Sequence, residues 1–219
     1  MRSLTFGAVF FDYDLDGWLD FFAANGHVAD DISVLQPTLH YEEPPFVFRN
    51  RGNGKFEDIT SKLGAALRRP VVARGVAYAD FDLDGDLDLL ITTNNGPARL
   101  FRNDNANQND MLRVRTVGTR SNRDGIGAKI TLRTDKGQRQ FAMVHSGSSY
   151  LSQSELPVTF GLGRPTGDTT VSLEIVWPSG HKDSIPDLKP NQFITVQEGK
   201  GVVAAQPIAF SAIPSKGVP

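Results

Sequence analysis

The nine residues "DYDLDGWLD" at 12–20 return in the same frame as "DFDLDGDLD" at 80–88. Only the second and seventh positions differ between the copies, and neither stretch contains a lysine or arginine. Carboxylates spaced this tightly repel one another, so a chain that repeats them must fold its loops around positive charge from elsewhere. A divalent cation supplies that charge most compactly. The flanks repeat as well: "GAVFFDYDLDGWLDFFAANG" (7–26) aligns with "GVAYADFDLDGDLDLLITTNNG" (75–96). Each copy reads as a short strand, the aspartate loop, a second strand and an Asn-Gly turn. A further strand follows, "FVFRN" at 46–50 and "RLFRN" at 99–103, and "GNGKFEDIT" adds a fourth in the first copy. That is a repeating β-meander of about four strands, the texture of propeller blades. The first copy carries an insert at 27–45 that ends in Pro-Pro and is expected to form an excursion on one rim.

The frame fits calcium, which takes about six to eight hard oxygen ligands at ~2.3–2.6 Å. Aspartates at loop positions 1, 3 and 5 (Asp12, Asp14 and Asp16; Asp80, Asp82 and Asp84) point inward as the chain winds. Gly17 and Gly85 permit the sharp turn after the third of them. Position 7 is expected to give only its backbone carbonyl, so Trp18 and Asp86 serve equally, and the Asp86 side chain is expected to point outward. Asp20 and Asp88 close the shell. An EF-hand would need Glu at position 12, where this chain has Ala23 and Ile91, and flanking helices where it has strand-like sequence. Magnesium suits such a protein-rich oxygen cage less well, because it holds its waters tightly.

The polar stretch "NDNANQND" (103–110) marks the expected boundary between 1–105 and a second unit at 110–199. "MLRVRTVG" (111–118) fits either the last blade or the second unit. Beyond it the aspartate frame is absent, and short strands separated by turns suggest a β-sandwich-like domain, with 200–219 as a mobile tail. The expected class is therefore all-β.

The aspartate frame followed by "FRN" resembles the FG-GAP/VCBS repeats of integrin-α-like β-propellers. The second half resembles the ASPIC/UnbV domain through "NRDGIGAKI" (122–130), "SGSSYLSQSE" (146–155), "FGLG" (160–163), "VWPSG" (176–180) and "QFITVQE" (192–198). The ordered pair is similar to the C-terminal part of the cartilage acidic protein family. The resemblance implies a secreted, periplasmic or surface-exposed calcium-binding propeller with an appended β domain, and supplies no catalytic residues. Family members carry a near-complete propeller, whereas two calcium loops imply only two blades here. Two blades cannot close a ring, so the expected piece is open, covered by the second unit or by self-association through its blade faces.

Net charge is -2, yet nine of the 25 acids lie in the two loops, and the remaining chain is basic. Arginines recur through 99–139 without a nucleic-acid-binding module around them. No apolar run approaches the ~18 residues of a membrane helix. The stretch before Asp12 is too short in apolar residues for a signal peptide. With no cysteine, disulfides and thiolate metal sites are excluded. "SGHKD" places Ser179, His181 and Asp183 at alternate positions of a strand, where side chains project in parallel and do not converge into a relay. "GLGRPTG" (161–167) lacks the Lys-Ser/Thr pair and helix of a phosphate loop. His27, His40, His145 and His181 lack metal-ligand spacing. The expected function is a non-catalytic, calcium-stabilised interaction protein with a protein or glycan partner. The alternatives are a glycan-binding module, signalled by an exposed Trp177 or Tyr150, and a fragment of a propeller hydrolase or lyase.

Overall fold

The computed structural model describes residues 3–104, 109–165 and 167–208. Alternation of apolar and polar residues, punctuated by glycine turns, produces four antiparallel or mixed sheets and almost no helix. The first repeat forms a four-stranded sheet, labelled the first blade only for its place in the repeat: β1 (Thr5–Phe11), β2 (Asp20–Asn25), β3 (Phe46–Asn50) and β4 (Phe56–Asp58), paired in that order. The insert at 27–45 contributes a single turn of helix, α1 (Ile32–Leu35), and bridges to Val71 through Glu43. The second blade holds β5 (Ala73–Ala79), β6 (Asp88–Thr93) and β7 (Arg99–Phe101). Among the described residues no fourth strand pairs with it. The next segment, β8 (Asp110–Val117), leaves for another sheet.

The alternation of β1 and β2 sends Val9, Phe11, Phe22 and Ala24 to one face. There they form a single core with Val76, Leu89 and Ile91 of the second blade. The opposite face of the first blade carries a run of rings from Phe10 through Phe21 and Phe48 to Phe46, with neighbouring centroids 5.0 to 6.1 Å apart. The sheets are several, and among the described residues no barrel closes.

The remaining strands are β9 (Lys129–Thr134), β10 (Arg139–Met143), β11 (Val158–Gly163), β12 (Val171–Val176), β13 (Lys182–Leu188), β14 (Gln192–Gln197) and β15 (Gly201–Pro207). They make two four-stranded sheets, β10-β9-β12-β13 and β11-β8-β14-β15, whose inward residues share one core around Trp177, Ile130, Leu173 and Ile194. β8 thus belongs to the second unit, where it pairs parallel with β14. The expected mobile tail is corrected over 201–207. Positive φ at Gly199 and Gly201 turns the chain back, and β15 joins the edge of β14 through its backbone. Residues 209–219 of that tail lie outside the described residues.

The two units meet closely. The "SGSSYLSQSE" segment runs along the inner strands of both blades. Ala8 N–H donates to Ser149 Oγ at 2.8 Å, Tyr78 N–H to Ser154 Oγ at 3.1 Å, and Glu155 N–H to the Tyr78 carbonyl at 3.1 Å. At the first aspartate loop, Gly163 N–H donates to the Leu15 carbonyl at 2.9 Å. A Cβ on Gly161 would fall 2.2 Å from Asp12 Oδ2, so glycine is required for that approach.

Candidate metal centres at the aspartate loops

Each loop joins the first and second strands of its blade, and the two copies fold alike. Gly17 and Gly85 adopt φ of 91° and 100°, as the sharp turn at position 6 demands. The leucines at position 4 do so too, Leu15 at 53° and Leu83 at 61°. Left-handed conformation is uncommon for leucine, and its occurrence in both copies marks a backbone held against local preference. Asp20 accepts N–H bonds from Tyr13 (3.2 Å) and Asn50 (2.7 Å). Asp88 accepts the equivalent bonds from Phe81 (2.9 Å) and Asn103 (2.8 Å). The asparagine side chains of the two "FRN" strands donate to the carbonyls of Leu19 and Leu87. Each "FRN" strand therefore pins its loop at position 9.

The carboxylates converge as groups. Asp12, Asp14 and Asp20 bring ligand atoms within 4.8 Å of one another, as do Asp80, Asp82 and Asp88. Asp84 joins Asp82 and Asp104 in a third, overlapping group. Asp16 stands apart from the first group; it accepts from Trp18 N–H at 3.0 Å and from Arg49 at 3.1 Å. The Asp86 side chain does not point outward as expected but is buried, while Trp18 stays half exposed over Gly52. The second loop is reached from β8, whose Arg113 pairs with Asp80, whereas Trp18 at position 7 of the first loop is 51% exposed.

Burial without full compensation is the electrostatic signature of both loops. Desolvation pushes the Asp12 carboxyl well above its usual range, reinforced by Asp16, Asp20 and Asp14 and opposed by the Gly17 N–H. Burial likewise raises Asp20 to about 7 and Asp84 to about 6, and it raises Asp14, Asp80 and Asp88. Asp14 Oδ1 and Asp84 Oδ2 are buried without a hydrogen-bond partner. Such oxygens cost free energy unless something neutralises them. The donor set, hard oxygens only, fits a calcium-type cation.

Sequence reasoning missed the cations that reach the loops from outside. Arg49 pairs with Asp14 at 2.7 Å and Asp16 at 3.1 Å. Arg113 is 4% exposed and bridges Asp80 to Glu155 with its guanidinium beside the Phe193 ring. The repeated arginine of "FRN" was a usable signal for Arg49; nothing local marks Arg113.

The "SGHKD" residues do not assemble a relay. Ser179 Oγ donates to Glu198, while His181 Nε2 lies 3.3 Å from Asp183 Oδ1 and Trp177 Nε1 donates to Asp183 at 2.7 Å. Glu198 also accepts the consecutive N–H groups of Thr119, Arg120 and Ser121 at 2.8 to 2.9 Å. Burial works against its charge, but the bonds from Ser179, Ser121, Thr119 and Arg120 hold its carboxyl far below the usual range. Trp177 is buried, and Tyr150 is partly exposed with its ring edge on Phe6.

Among known proteins, residues 12–91 match the FG-GAP-like repeat and residues 118–203 match ASPIC and UnbV. Cartilage acidic protein 1 of Xenopus tropicalis is 42% identical over 76 residues, covering 35% of this chain and 11% of that protein. The mouse and human proteins of that name are each 43% identical over 58 residues, covering 26% of this chain and 9% of theirs. The chain thus spans about a tenth of these relatives. A C-terminal fragment of pilus adhesin SpaC from Lactobacillus rhamnosus GG aligns over 95% of this chain and 90% of its own, at 13% identity and a TM-score of 0.24, too low to carry structural weight. No helix among the described residues is long and apolar enough to cross a membrane.

Proposed function

We propose that this chain, an FG-GAP-like repeat joined to an ASPIC and UnbV domain, is a calcium-binding, non-catalytic interaction protein of the extracellular or surface space. The observation that carries the reading is the duplicated cage. Two loops of matching backbone conformation each gather aspartates whose buried oxygens lack donors. Bound there, calcium supplies the positive charge that lets adjacent carboxylates ionise while buried.

The chain's own residues do the rest. Asp12, Asp14 and Asp20 hold the first ion, and Asp80, Asp82, Asp84 and Asp88 the second, with Asp16 exchanging Arg49 for metal. Asn50 and Asn103 fix the closing aspartates. The glycines at position 6 keep the turn. Because the second unit packs on both loops, neutralising them also steadies the contact between the units. The role is structural, with partner recognition left to the surface.

A glycan-binding role would call for an exposed aromatic platform at Trp177 or Tyr150. Trp177 is in the core and cannot serve, while Tyr150 is exposed but has one side against Phe6, and a single ring offers no extended platform. Differential scanning calorimetry with calcium and with chelator tests the proposal. A higher melting temperature in calcium supports it, and superimposable transitions reject it.

A further inference from the structure

β10 is an open sheet edge. It ends the β10-β9-β12-β13 sheet, and among the described residues no strand pairs on its other side. Val144 and Gln138, at its two ends, bond to Ala128 and Thr134 on the β9 side. Alternation along an antiparallel ladder then directs the N–H and C=O of Arg139, Phe141 and Met143 toward the open side. A cavity of about 620 Å³ lies beside this edge, lined by β10 together with Phe10, Trp18 and Leu19 of the first blade and Val158, Thr159 and Phe160 of β11. Phe141, Met143, Phe10, Trp18 and Leu19 are each between 44% and 60% exposed. A sheet edge left open beside so much apolar surface is a template for another strand.

Charge marks one end of the groove. Arg139 stands directly across from Arg133 on the same face, and both are exposed. Neither belongs to an ion pair among the described residues. Like charges at opposite positions of a ladder are destabilising, and a carboxylate between them relieves this.

We propose that this groove binds an extended acidic-apolar peptide, which adds as a strand to β10. Its main chain bonds at Arg139, Phe141 and Met143, its apolar side chains fill the space toward Phe10 and Trp18, and a carboxylate lies at the Arg133–Arg139 rung. The proposal deepens the interaction role above by naming the partner's chemistry. Regularly spaced N–H and C=O groups are matched by a peptide main chain and not by a sugar ring. A second copy's β10, "RQFAM", brings arginine and no acid, so it would leave the rung unrelieved.

The probe is an acetylated, amidated peptide of alternating valine and threonine with glutamate at both ends, titrated into the full chain in calcium. Trp18 is the reporter, since the other tryptophan, Trp177, is buried in the sandwich core. Saturable change of Trp18 emission is expected. Phe141→Ser should weaken binding by roughly tenfold and Arg139→Glu by roughly fivefold, the latter effect fading in high salt. Both replace exposed residues, and unchanged melting of each variant establishes that it is folded. N-methylating alternate amides of the peptide, in either register, should abolish binding in the register that faces β10.

No saturable change up to about 1 mM overturns the proposal, as does equal binding by both N-methylated peptides. A dimer in sedimentation that Phe141→Ser dissociates overturns it in favour of self-association. Peptide binding with a calcium-insensitive melt would support strand addition and reject the calcium reading; the reverse pair of results would do the opposite.

Discussion

Replacing Arg113 with leucine removes the cation that joins the two halves of the molecule. The guanidinium is 4% exposed and pairs at once with Asp80 of the second loop and Glu155 of the segment that lies along the blades. Leucine removes the guanidinium from beside the Phe193 ring and leaves two carboxylates without their partner. Breaking a buried pair from one side costs about 3–5 kcal/mol. For a chain of this length each kcal/mol lowers the melting temperature by about 2–4 °C, so a drop of roughly 6–20 °C is expected. The loss should depend on pH. Burial already raises Glu155 to about 7 against the pull of Arg113, and removing the arginine raises it further. A group whose folded pKa is raised stabilises the fold when protonated and loses that contribution as pH rises through the folded value. The variant should therefore approach wild type near pH 5 and fall furthest behind above pH ~7.5. Thermal melts of both proteins across that range, in chelator, give the comparison. A deficit below about 1 kcal/mol, or one that does not change with pH, would refute the bridging role.

Further expectations concern the loops and their supports. Without metal, the chain should lose stability as pH rises from about 4 to about 7, because Asp84 and Asp20 titrate near 6 and 7 in the fold. The melting gain from calcium should grow over the same interval, which parallel melts with and without calcium will read. Gly17→Ala should weaken calcium binding at the first loop alone. The backbone there has φ of 91°, and the new methyl would fall 2.2 Å from Gln138 Nε2; calorimetric titration checks it. Glu198→Ala should cost about 2–3 kcal/mol by stranding the N–H groups of Thr119, Arg120 and Ser121, measured by denaturant unfolding. The isolated span 1–104 should self-associate in light scattering, since the Ser149 and Ser154 contacts that cap β1 and β5 are gone.

What the sequence disclosed and what it withheld divide along the range of the interactions. The aspartate frame, its turning glycines and the strands on either side are local, and they fold as their spacing implies. Most of the sandwich strands likewise follow from alternation and turns; β13 does not, because Pro186 and its charged neighbours hide it. β8 could not be placed from "MLRVRTVG", because its parallel partner β14 lies far along the chain and leaves no local mark. β15 escaped notice because an edge strand held by backbone bonds needs no apolar alternation, and "VVAAQP" shows none of consequence. The reach of Arg113 depends on how the second unit meets the loops, and nothing local in the frame marks the burial of Asp86. Position 7 looked interchangeable in sequence; packing made one copy a rim residue and the other an interior one.

Calcium titration followed by calorimetry bears most directly on the cages themselves. Sites of an extracellular module should bind in the weak range, with Kd of ~10⁻⁴–10⁻³ M or somewhat tighter. Calcium at a hundred times Kd contributes about 2.7 kcal/mol per site, so two sites stabilise the fold by about 5 kcal/mol. The expected result is two calcium equivalents per chain and a melting temperature that rises with calcium and reverses with chelator. Absence of both binding heat and melting shift across the millimolar range would contradict the assignment of the aspartate loops as calcium sites.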